Sequence, residues 1–201
     1  IKVLPVSQND IDMLDYVSAS PIPRDVLREN VSDAVNMIKN DNISRIVIAM
    51  LNYYDNDVYI YPAASKIHHN FIGGLATHMS GMIKLAIALC DIYPSANRDY
   101  LLAGVILHDL GKIEEFVSPF VSEYSVQGKL LGHISIMDAR LLEVGKQLKL
   151  EDSEELMLLR HMILAHHGQH EYGSPVLPET LEAELLTYID NIDAKVEIIN
   201  K

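Results

Sequence analysis

The sequence feature that most constrains the fold is a His-Asp pair, His108-Asp109, that follows a buried apolar segment. Residues 100 to 107 read YLLAGVIL and predict a buried helix. An imidazole nitrogen and a carboxylate oxygen are both ligands for divalent metals. Neighbouring residues on a helix point about 100° apart. His108 and Asp109 can therefore bind the same ion only if that ion lies near the helix end. Alternatively, Asp109 can bridge two ions. The pair alone is equally typical of an imidazole that hydrogen-bonds its neighbour.

Further histidines and acids follow along the apolar helical patterns of the chain. Seven of the nine histidines lie between His78 and His170. Helix bundles build di-metal sites from histidines and acids carried on several core helices. The chain is therefore predicted to be an all-α bundle with a metal site in its core. The series of candidate ligands, in chain order, is His78, His108-Asp109, His133, His166-His167 and Asp190.

Helical spacing separates the adjacent histidines His166 and His167. His166 continues the apolar stripe of Leu159 and Ile163 and is predicted to be the inward-facing ligand. On a helix His167 would point in a different direction from His166, so we do not expect the two residues to bind the same ion. We expect His167 to support a ligand or to contact a phosphate, and we count it among the candidate catalytic residues.

The remaining ligand candidates are selected by their place on predicted helices. Asp190 follows the apolar run at residues 185–189 and is predicted to reach inward, whereas Asp193 is expected to be solvated or to support the ligands. His133 lies at a predicted helix start, which disfavours the imidazolium and leaves the neutral imidazole that a metal needs. His78 lies near an apolar stripe, where a lone histidine is usually a core residue, but the series favours a ligand.

The order His, His-Asp, His, His-His, Asp, with Lys112 after the pair, resembles the HD superfamily of metal-dependent phosphohydrolases over residues 67 to 193. Residues 68–75 (HHNFIGGL) and 188–195 (YIDNIDAK) look like the YhaM-type 3′→5′ exoribonucleases. This resemblance implies an HD-domain helical bundle. It also implies a phosphodiesterase, most specifically a catalytic domain that removes nucleotides from the 3′ ends of single-stranded RNA.

The resemblance implies one or two divalent metal ions, and in the two-ion arrangement both share Asp109, which is then also the central catalytic residue. Mixed imidazole and carboxylate ligands fit Mn²⁺, which we favour, as well as Fe²⁺, Co²⁺, Ni²⁺ and Zn²⁺. One ion is expected to bind His78, His108, Asp109 and Asp190, and the other to bind Asp109, His133 and His166.

Two further residues are expected at the edge of the site. Lys112 is interpreted as a catalytic and substrate-binding cation that neutralises phosphate charge. The alternative is a solvated lysine favoured by the helix dipole. The resemblance favours a substrate contact for His69, which follows His68 in a segment that ends in two glycines.

The charge of the chain does not indicate a basic groove for RNA. Lysine and arginine number 16 against 28 acidic residues, a formal net charge of −12. Phosphate-backbone binding normally uses a basic surface. The YhaM-type proteins carry an N-terminal OB-fold, a single-strand binding module, but nothing before residue 65 reads as five alternating strands. Because the chain opens on Ile1 and ends inside a predicted helix, we expect a fragment whose RNA grip comes from an absent OB-fold.

The predicted organisation is an N-terminal helical extension over residues 1–62, packed on an HD domain over residues 63–201. The extension should contain a helix starting near Ser7 and two more, at residues 24–39 and 43–54. No apolar run reaches about 18 uncharged residues and no signal peptide is visible. Cys90 is the single cysteine. We therefore expect a cytoplasmic protein without membrane contact, while its oligomeric state stays open.

Several readings stay open. The function alternatives are an HD-type nucleotide or cyclic-nucleotide phosphohydrolase and a non-catalytic HD-type interaction module, although the filled ligand series favours catalysis. The tyrosines at residues 53–61 either stack on bases or cover the core. Residues 116–127 predict a small hairpin beside the site. The glycine-containing segment 168–175 is either a substrate lid or a connector.

Overall fold

The computed structural model describes residues 18–64 and 69–200; the predicted helix near Ser7 and residue His68 lie outside them. Within these ranges the fold is helical, which confirms the all-α prediction. Short 3₁₀ helices cover Asp55–Tyr59 and His170–Tyr172. The predicted hairpin is confirmed as an antiparallel pair, β1 (Phe116–Ser118) and β2 (Val121–Tyr124). The α-helices are α1 (Arg24–Met37), α2 (Asp41–Tyr54), α3 (Gly74–Ile92), α4 (Arg98–Leu107), α5 (Lys112–Glu115), α6 (Val126–Leu148), α7 (Glu154–Ala165) and α8 (Leu181–Ile199).

Side-chain caps begin several of these helices. Asn40 accepts a hydrogen bond from the backbone N–H of Ile43 at the start of α2. Ser153 caps α7 and Thr180 caps α8 in the same manner. Such a cap satisfies one of the backbone donors that a helix start leaves without an intrahelical partner, and contributes about 1 kcal/mol.

Helix α4 is the centre of the bundle. It packs against α1, α2, α3, α7 and α8, and its residues Leu101 to Leu107 are all buried. Burying one large aliphatic side chain contributes about 1.5–3 kcal/mol, so α4 has no face that favours solvent. The carboxyl end of α4 therefore delivers His108-Asp109 into the interior. The same hydrophobic core includes residues of α1 and α2, while the domain boundary at residue 62 stays a prediction.

Glycines allow close backbone contact between α5 and α6. Gly111 has ordinary right-handed dihedral angles, φ −60° and ψ −18°. A Cβ atom there would lie 2.3 Å from the carbonyl oxygen of His133, and one at Gly128 would lie 2.2 Å from that of Glu115. Gly111 does not end a helix, because α4 already ends at Leu107. The glycine is needed because the α6 backbone approaches it.

A break inside α6 places His133 at a new helix start. Gly132 has φ 71° and ψ 157°, a conformation that is accessible to glycine and strained for other residues. Helical geometry resumes at His133. The predicted position of His133 at the start of a helical segment is therefore present, although α6 itself begins earlier, at Val126.

Within the described ranges one helix, α3, is long and apolar enough by length and composition to cross a membrane. It is not an uninterrupted apolar run, because it contains Lys84 and Asp91. Half of its most apolar window is buried inside the protein. Packing against α1, α4 and α8 accounts for these apolar residues.

The α5–α6 contact predicts an unusual response to Gly111→Ala. Alanine normally favours helical conformations over glycine by about 1 kcal/mol. Here its Cβ would overlap the His133 carbonyl, so we expect a loss of about 1–3 kcal/mol in the free energy of unfolding. Urea unfolding followed by circular dichroism measures this, with the exposed α6 substitution Ser135→Ala as the near-neutral control. Unchanged or increased stability of the Gly111 variant would show that the contact is looser than described.

Candidate metal centre

Five histidines from four helices surround the carboxylate of Asp109, which is 2% exposed. Asp109 Oδ2 lies 3.3 Å from His108 Nε2 and 3.9 Å from His78 Nε2. The other oxygen, Oδ1, lies 3.4 Å from His133 Nε2 and 3.9 Å from His166 Nε2. The two carboxylate oxygens therefore face two different sets of imidazoles. The fifth histidine, His167, joins the second set.

Asp190 on α8 completes the first set. Its Oδ1 atom lies 3.1 Å from His78 Nε2. Potential ligand atoms of His78, His108 and Asp190 lie within 4.8 Å of one another, as do those of the second set, His133, His166 and His167. Two atoms that each lie about 2.0–2.3 Å from one ion are separated by about 3–4 Å. The spacing of both sets thus suits one divalent ion each, with Asp109 between them.

Backbone carbonyls fix the orientation of three imidazoles. His108 Nδ1 lies 2.9 Å from the carbonyl oxygen of Val105, and His166 Nδ1 lies 2.7 Å from that of Ile163. His167 Nδ1 lies 2.7 Å from the carbonyl oxygen of Tyr172. A carbonyl only accepts, so Nδ1 carries the hydrogen and the neutral ring presents its Nε2 lone pair to the centre.

Carboxylates perform the same task for the other two imidazoles. Asp193 Oδ2 lies 2.7 Å from His78 Nδ1. Glu115 Oε1 lies 3.1 Å from His133 Nδ1 and also accepts the backbone N–H of His133 at 3.0 Å. A carboxylate behind an imidazole raises the basicity of the opposite nitrogen, which strengthens it as a ligand.

Unpaired buried atoms test whether a metal fits. In the part of the chain that the structure describes, four atoms facing the centre are buried without a hydrogen-bond partner: His108 Nε2, Asp109 Oδ1, His133 Nε2 and His166 Nε2. A buried polar atom without a partner costs about 1–3 kcal/mol. All four carry lone pairs, so a further acceptor would not satisfy them, but a divalent cation would. The donor set therefore fits a metal.

The electrostatics of the centre keep Asp109 ionised. Burial alone would raise the pKa of Asp109, but Lys112 and His108 outweigh it and hold that pKa well below its usual range. Lys112 Nζ lies 2.6 Å from Asp109 Oδ2. Burial also opposes the charge on Lys112, yet Asp109 outweighs burial and raises the pKa of the lysine. The pair therefore stays charged at neutral pH.

The imidazoles differ in charge. Burial, together with His167 and His108, lowers the pKa of His166 well below its ordinary value, so this ring is neutral. Burial also opposes charge on His78, but hydrogen bonds to Asp190 and Asp193 outweigh it and raise the pKa of His78 to about 9. A metal that binds His78 must therefore displace a proton from it at neutral pH.

The arrangement of His167 differs from the sequence analysis. The rule of about 100° between neighbours separated it from His166, but α7 ends at Ala165 and the two residues follow the last helical turn. The chain turns, so their ring centroids lie 4.4 Å apart. Both therefore present nitrogens to the same place. The separation that we expected between them is wrong, because it extended helical geometry beyond the helix end.

His69 also lies elsewhere than expected. Its ring is buried, its Nε2 atom lies 2.9 Å from Asp193 Oδ2, and the ring centroids of His69 and His78 are 5.3 Å apart. His69 therefore lies behind the centre instead of at a substrate-facing edge. Its positive φ of 47° is uncommon outside glycine. A Cβ atom on Gly74 would lie 1.9 Å from the carbonyl oxygen of His69.

The support residues were only partly visible in the sequence. Asp193 supports His78, one of the two roles considered for it. Glu115 was missed, because nothing in the spacing of a four-residue helix and a hairpin indicates that its carboxylate reaches His133.

An open cavity of about 320 Å³ lies beside the centre. It is lined by Lys112, His167, Tyr172, Asp190 and Asn191.

Comparisons with known proteins agree with this geometry. The HD domain family matches residues 75–195. The chain is 44% identical over 200 residues to the 3′-5′ exoribonuclease YhaM of Bacillus subtilis (strain 168), covering 99% of this chain and 63% of that protein. It is 46% identical over 187 residues to the protein of the same name from Geobacillus sp. (strain WCH70), covering 93% of this chain and 57% of that protein. No solved structure matches at a significant level.

The supporting carboxylates predict the response of metal affinity to two substitutions. Asp193→Asn leaves one acceptor oxygen for two histidines, and Glu115→Gln removes the charge behind His133. We expect each variant to bind Mn²⁺ about 10–100-fold more weakly. Isothermal titration of the metal-free proteins measures this. Glu143→Gln, which alters a half-exposed partner of Arg140, is the control. Wild-type affinity in both variants would exclude a supporting role.

Proposed function

The chain belongs to the HD domain family, and we propose that it is a metal-dependent phosphodiesterase, most specifically the catalytic part of a 3′-5′ exoribonuclease acting on single-stranded RNA. The observation that carries this proposal is the buried Asp109 carboxylate, whose two oxygens face two separate sets of imidazoles. A non-catalytic interaction module would have no need of two complete donor sets.

We assign the ligands as follows. One ion is held by His78, His108, Asp109 and Asp190. The other is held by Asp109, His133 and His166. Mn²⁺ is the favoured ion, and Fe²⁺, Co²⁺, Ni²⁺ or Zn²⁺ have suitable ligand chemistry. When bound, two divalent ions supply the activation of a water molecule and the stabilisation of the leaving oxygen.

We propose that His167 is a further ligand of this second ion, in addition to Asp109, His133 and His166, and does not donate to a phosphate. Its Nδ1 donates to the carbonyl oxygen of Tyr172. Burial and the neighbouring His133 lower the pKa of His167, so the ring is neutral. The remaining nitrogen, Nε2, then carries a lone pair that would repel a phosphate oxygen but can bind a cation.

In this proposal Lys112 interacts with two negatively charged groups, the Asp109 carboxylate and the phosphate of the substrate. Its ammonium group pairs with Asp109 and also borders the open cavity. A fixed cation at that place neutralises the charge of an entering phosphate and needs no rearrangement during the reaction. The apolar core around α4 keeps water away from the back of the centre, which strengthens these interactions.

The RNA substrate is proposed from the relatives, which carry the name 3′-5′ exoribonuclease YhaM. The chain spans 63% of the length of several of these curated relatives. We propose that the remaining part, expected to include an OB-fold, supplies the grip on long RNA. The cytoplasmic location stays a prediction.

A second candidate function is the hydrolysis of nucleotides, cyclic nucleotides or other small phosphodiesters. The net charge of −12 favours it, because an acidic surface repels a long polyanion more strongly than a small substrate. The cavity of about 320 Å³ is within the size range of small-molecule sites, about 300–1,000 Å³.

Removal of the shared carboxylate should abolish hydrolysis. For Asp109→Ala we expect a loss of at least about a hundredfold in the rate with Mn²⁺, on short RNA and on bis(p-nitrophenyl) phosphate alike, because both ions lose a ligand. Circular dichroism should show retained helices, and Asp152→Ala, an exposed acid, is the control. Retention of more than a few per cent of activity on either substrate would favour the interaction-module reading.

The charge of the chain predicts weak binding of long RNA. We expect this chain to cleave short oligonucleotides and small phosphodiesters but to bind a long single strand poorly. A protein with a basic groove loses affinity with added salt, with a slope of about −0.7 per contacted phosphate. The measurement is a salt titration of RNA binding at a fixed metal concentration. Tight binding with a steep negative slope would contradict the prediction.

A further inference from the structure

A second cavity continues outward from the one beside the metal centre. It has a volume of about 290 Å³ and shares His167, Tyr172 and Asn191 with the inner cavity. Its outer part is lined by residues of α8, including Tyr188 and Lys195. The two cavities therefore form one cleft, which we call the α8 cleft, leading from Lys112 and Asp190 to the surface.

Two exposed tyrosines line the α8 cleft. Tyr172 is 64% exposed and Tyr188 is 55% exposed. An aromatic ring left in solvent at the mouth of a cleft offers an apolar surface to a ligand. Of the tyrosines at residues 53–61, which the sequence first suggested as stacking residues, Tyr54 and Tyr59 are buried in the core and Tyr53 is 50% exposed.

Contacts with fixed elements hold the backbone of these two tyrosines in place. The Tyr172 carbonyl accepts from His167, and Gly168 packs so closely on α8 that a Cβ there would lie 2.5 Å from Thr187 Cγ2. Tyr188 lies one helical turn from Glu184 on α8, and both residues line the cleft. Because the backbone beneath both rings is fixed, less conformational freedom is lost when a flat ligand stacks on them.

Positive charge is present at both ends of the α8 cleft. Lys112 borders its inner end and Lys195 its outer end. Tyr188, Asn191 and Lys195 follow one another at helical spacing, so they lie on one face of α8. In a chain with 16 basic residues against 28 acidic ones, a cleft with a lysine at each end and two tyrosines along it suits an aromatic ligand that carries phosphates.

We propose that the α8 cleft binds the nucleotides next to the scissile phosphate of a single strand, with Tyr172 and Tyr188 stacking on bases and Lys195 pairing with a backbone phosphate. This rests on the proposed function, since the scissile phosphate is placed at the metal centre. Stacking uses the π-face that every base has, so the site is tolerant of sequence.

Equilibrium binding tests the proposal without cleavage. Fluorescence anisotropy, with EDTA present, compares a 5′-labelled oligoadenylate with the same strand carrying abasic residues at its two 3′-terminal positions. We expect the abasic strand to bind the wild type about 5- to 100-fold more weakly, the range for a lost stacking contact. Tyr172→Ala and Tyr188→Ala should weaken oligoadenylate binding in the same range and leave abasic binding within about twofold.

Matched controls separate stacking from other effects. Tyr188→Phe keeps the ring and should bind as the wild type does. Tyr93→Ala removes a tyrosine that is 51% exposed, about 22 Å along α3 from His78, and should change nothing. Lys195→Gln should reduce the salt slope by about 0.7, whereas Lys146→Gln, on the exposed surface of α6, should not. Equal Mn²⁺ affinity of the tyrosine variants would show that the centre is intact.

The outcomes distinguish this inference from the proposed function. Equal binding of both strands by the wild type, or no binding of oligoadenylate, would overturn the stacking site, whatever the activity. Equal affinities in the tyrosine variants and the wild type would also overturn it. Loss of affinity in those variants without hydrolysis by the Mn²⁺-loaded wild type would support the cleft and refute the phosphodiesterase. Weaker binding combined with a higher KM on oligoadenylate would support both.

Discussion

The metal centre depends on one buried carboxylate, that of Asp109 at the end of the most enclosed helix. An ionised carboxylate that leaves water without partners is strongly disfavoured. Lys112 provides the nearest compensating charge, and the imidazoles around Asp109 provide polar surroundings. His108 and Lys112 are close to Asp109 in sequence, but His78, His133 and His166 come from distant parts of the chain, so several helices must meet at this place. Hydrophobic burial places α4 in the interior. The ionised carboxylate at the end of α4 then requires charged and polar partners at that place.

Around this carboxylate the protein has two layers with different tasks. The inner layer consists of Nε2 atoms and carboxylate oxygens directed at the centre, and His78 must lose a proton before its lone pair is available to a metal. The outer layer consists of backbone carbonyls at the ends of α4 and α7, and of the carboxylates of Glu115 and Asp193. Because the outer layer fixes which nitrogen carries the hydrogen, the inner layer is organised for a cation before one binds. Close packing at Gly111 and Gly128 holds Glu115 and His133 together.

The surface around the centre supports our proposal that, in the longer relatives, hydrolysis and capture of long RNA are carried out by different parts of the protein. A net charge of −12 opposes the approach of a polyanion, while the α8 cleft offers two lysines and two tyrosines over a short distance. Chemistry and contact with the last nucleotides would then belong to this chain. Capture of long RNA would belong to the part of the relatives that lies beyond it.

The sequence by itself determined the fold class and the six ligand candidates, because both depend on residue type and on helical spacing of apolar residues. His78, His108, Asp109, His133, His166 and Asp190 were predicted as a group, and the structure brings them together. Tertiary structure decided which side chains support them and which face the cleft. The contact between His69 and Asp193 joins residues 124 positions apart, and local spacing carries no information about such a pair. His167 joined the centre because the chain turns after α7, and Tyr172 and Tyr188 became neighbours of one cleft because a loop packs on α8. These outcomes depend on where helices end and on which ends meet, and only the packing of the whole bundle decides that.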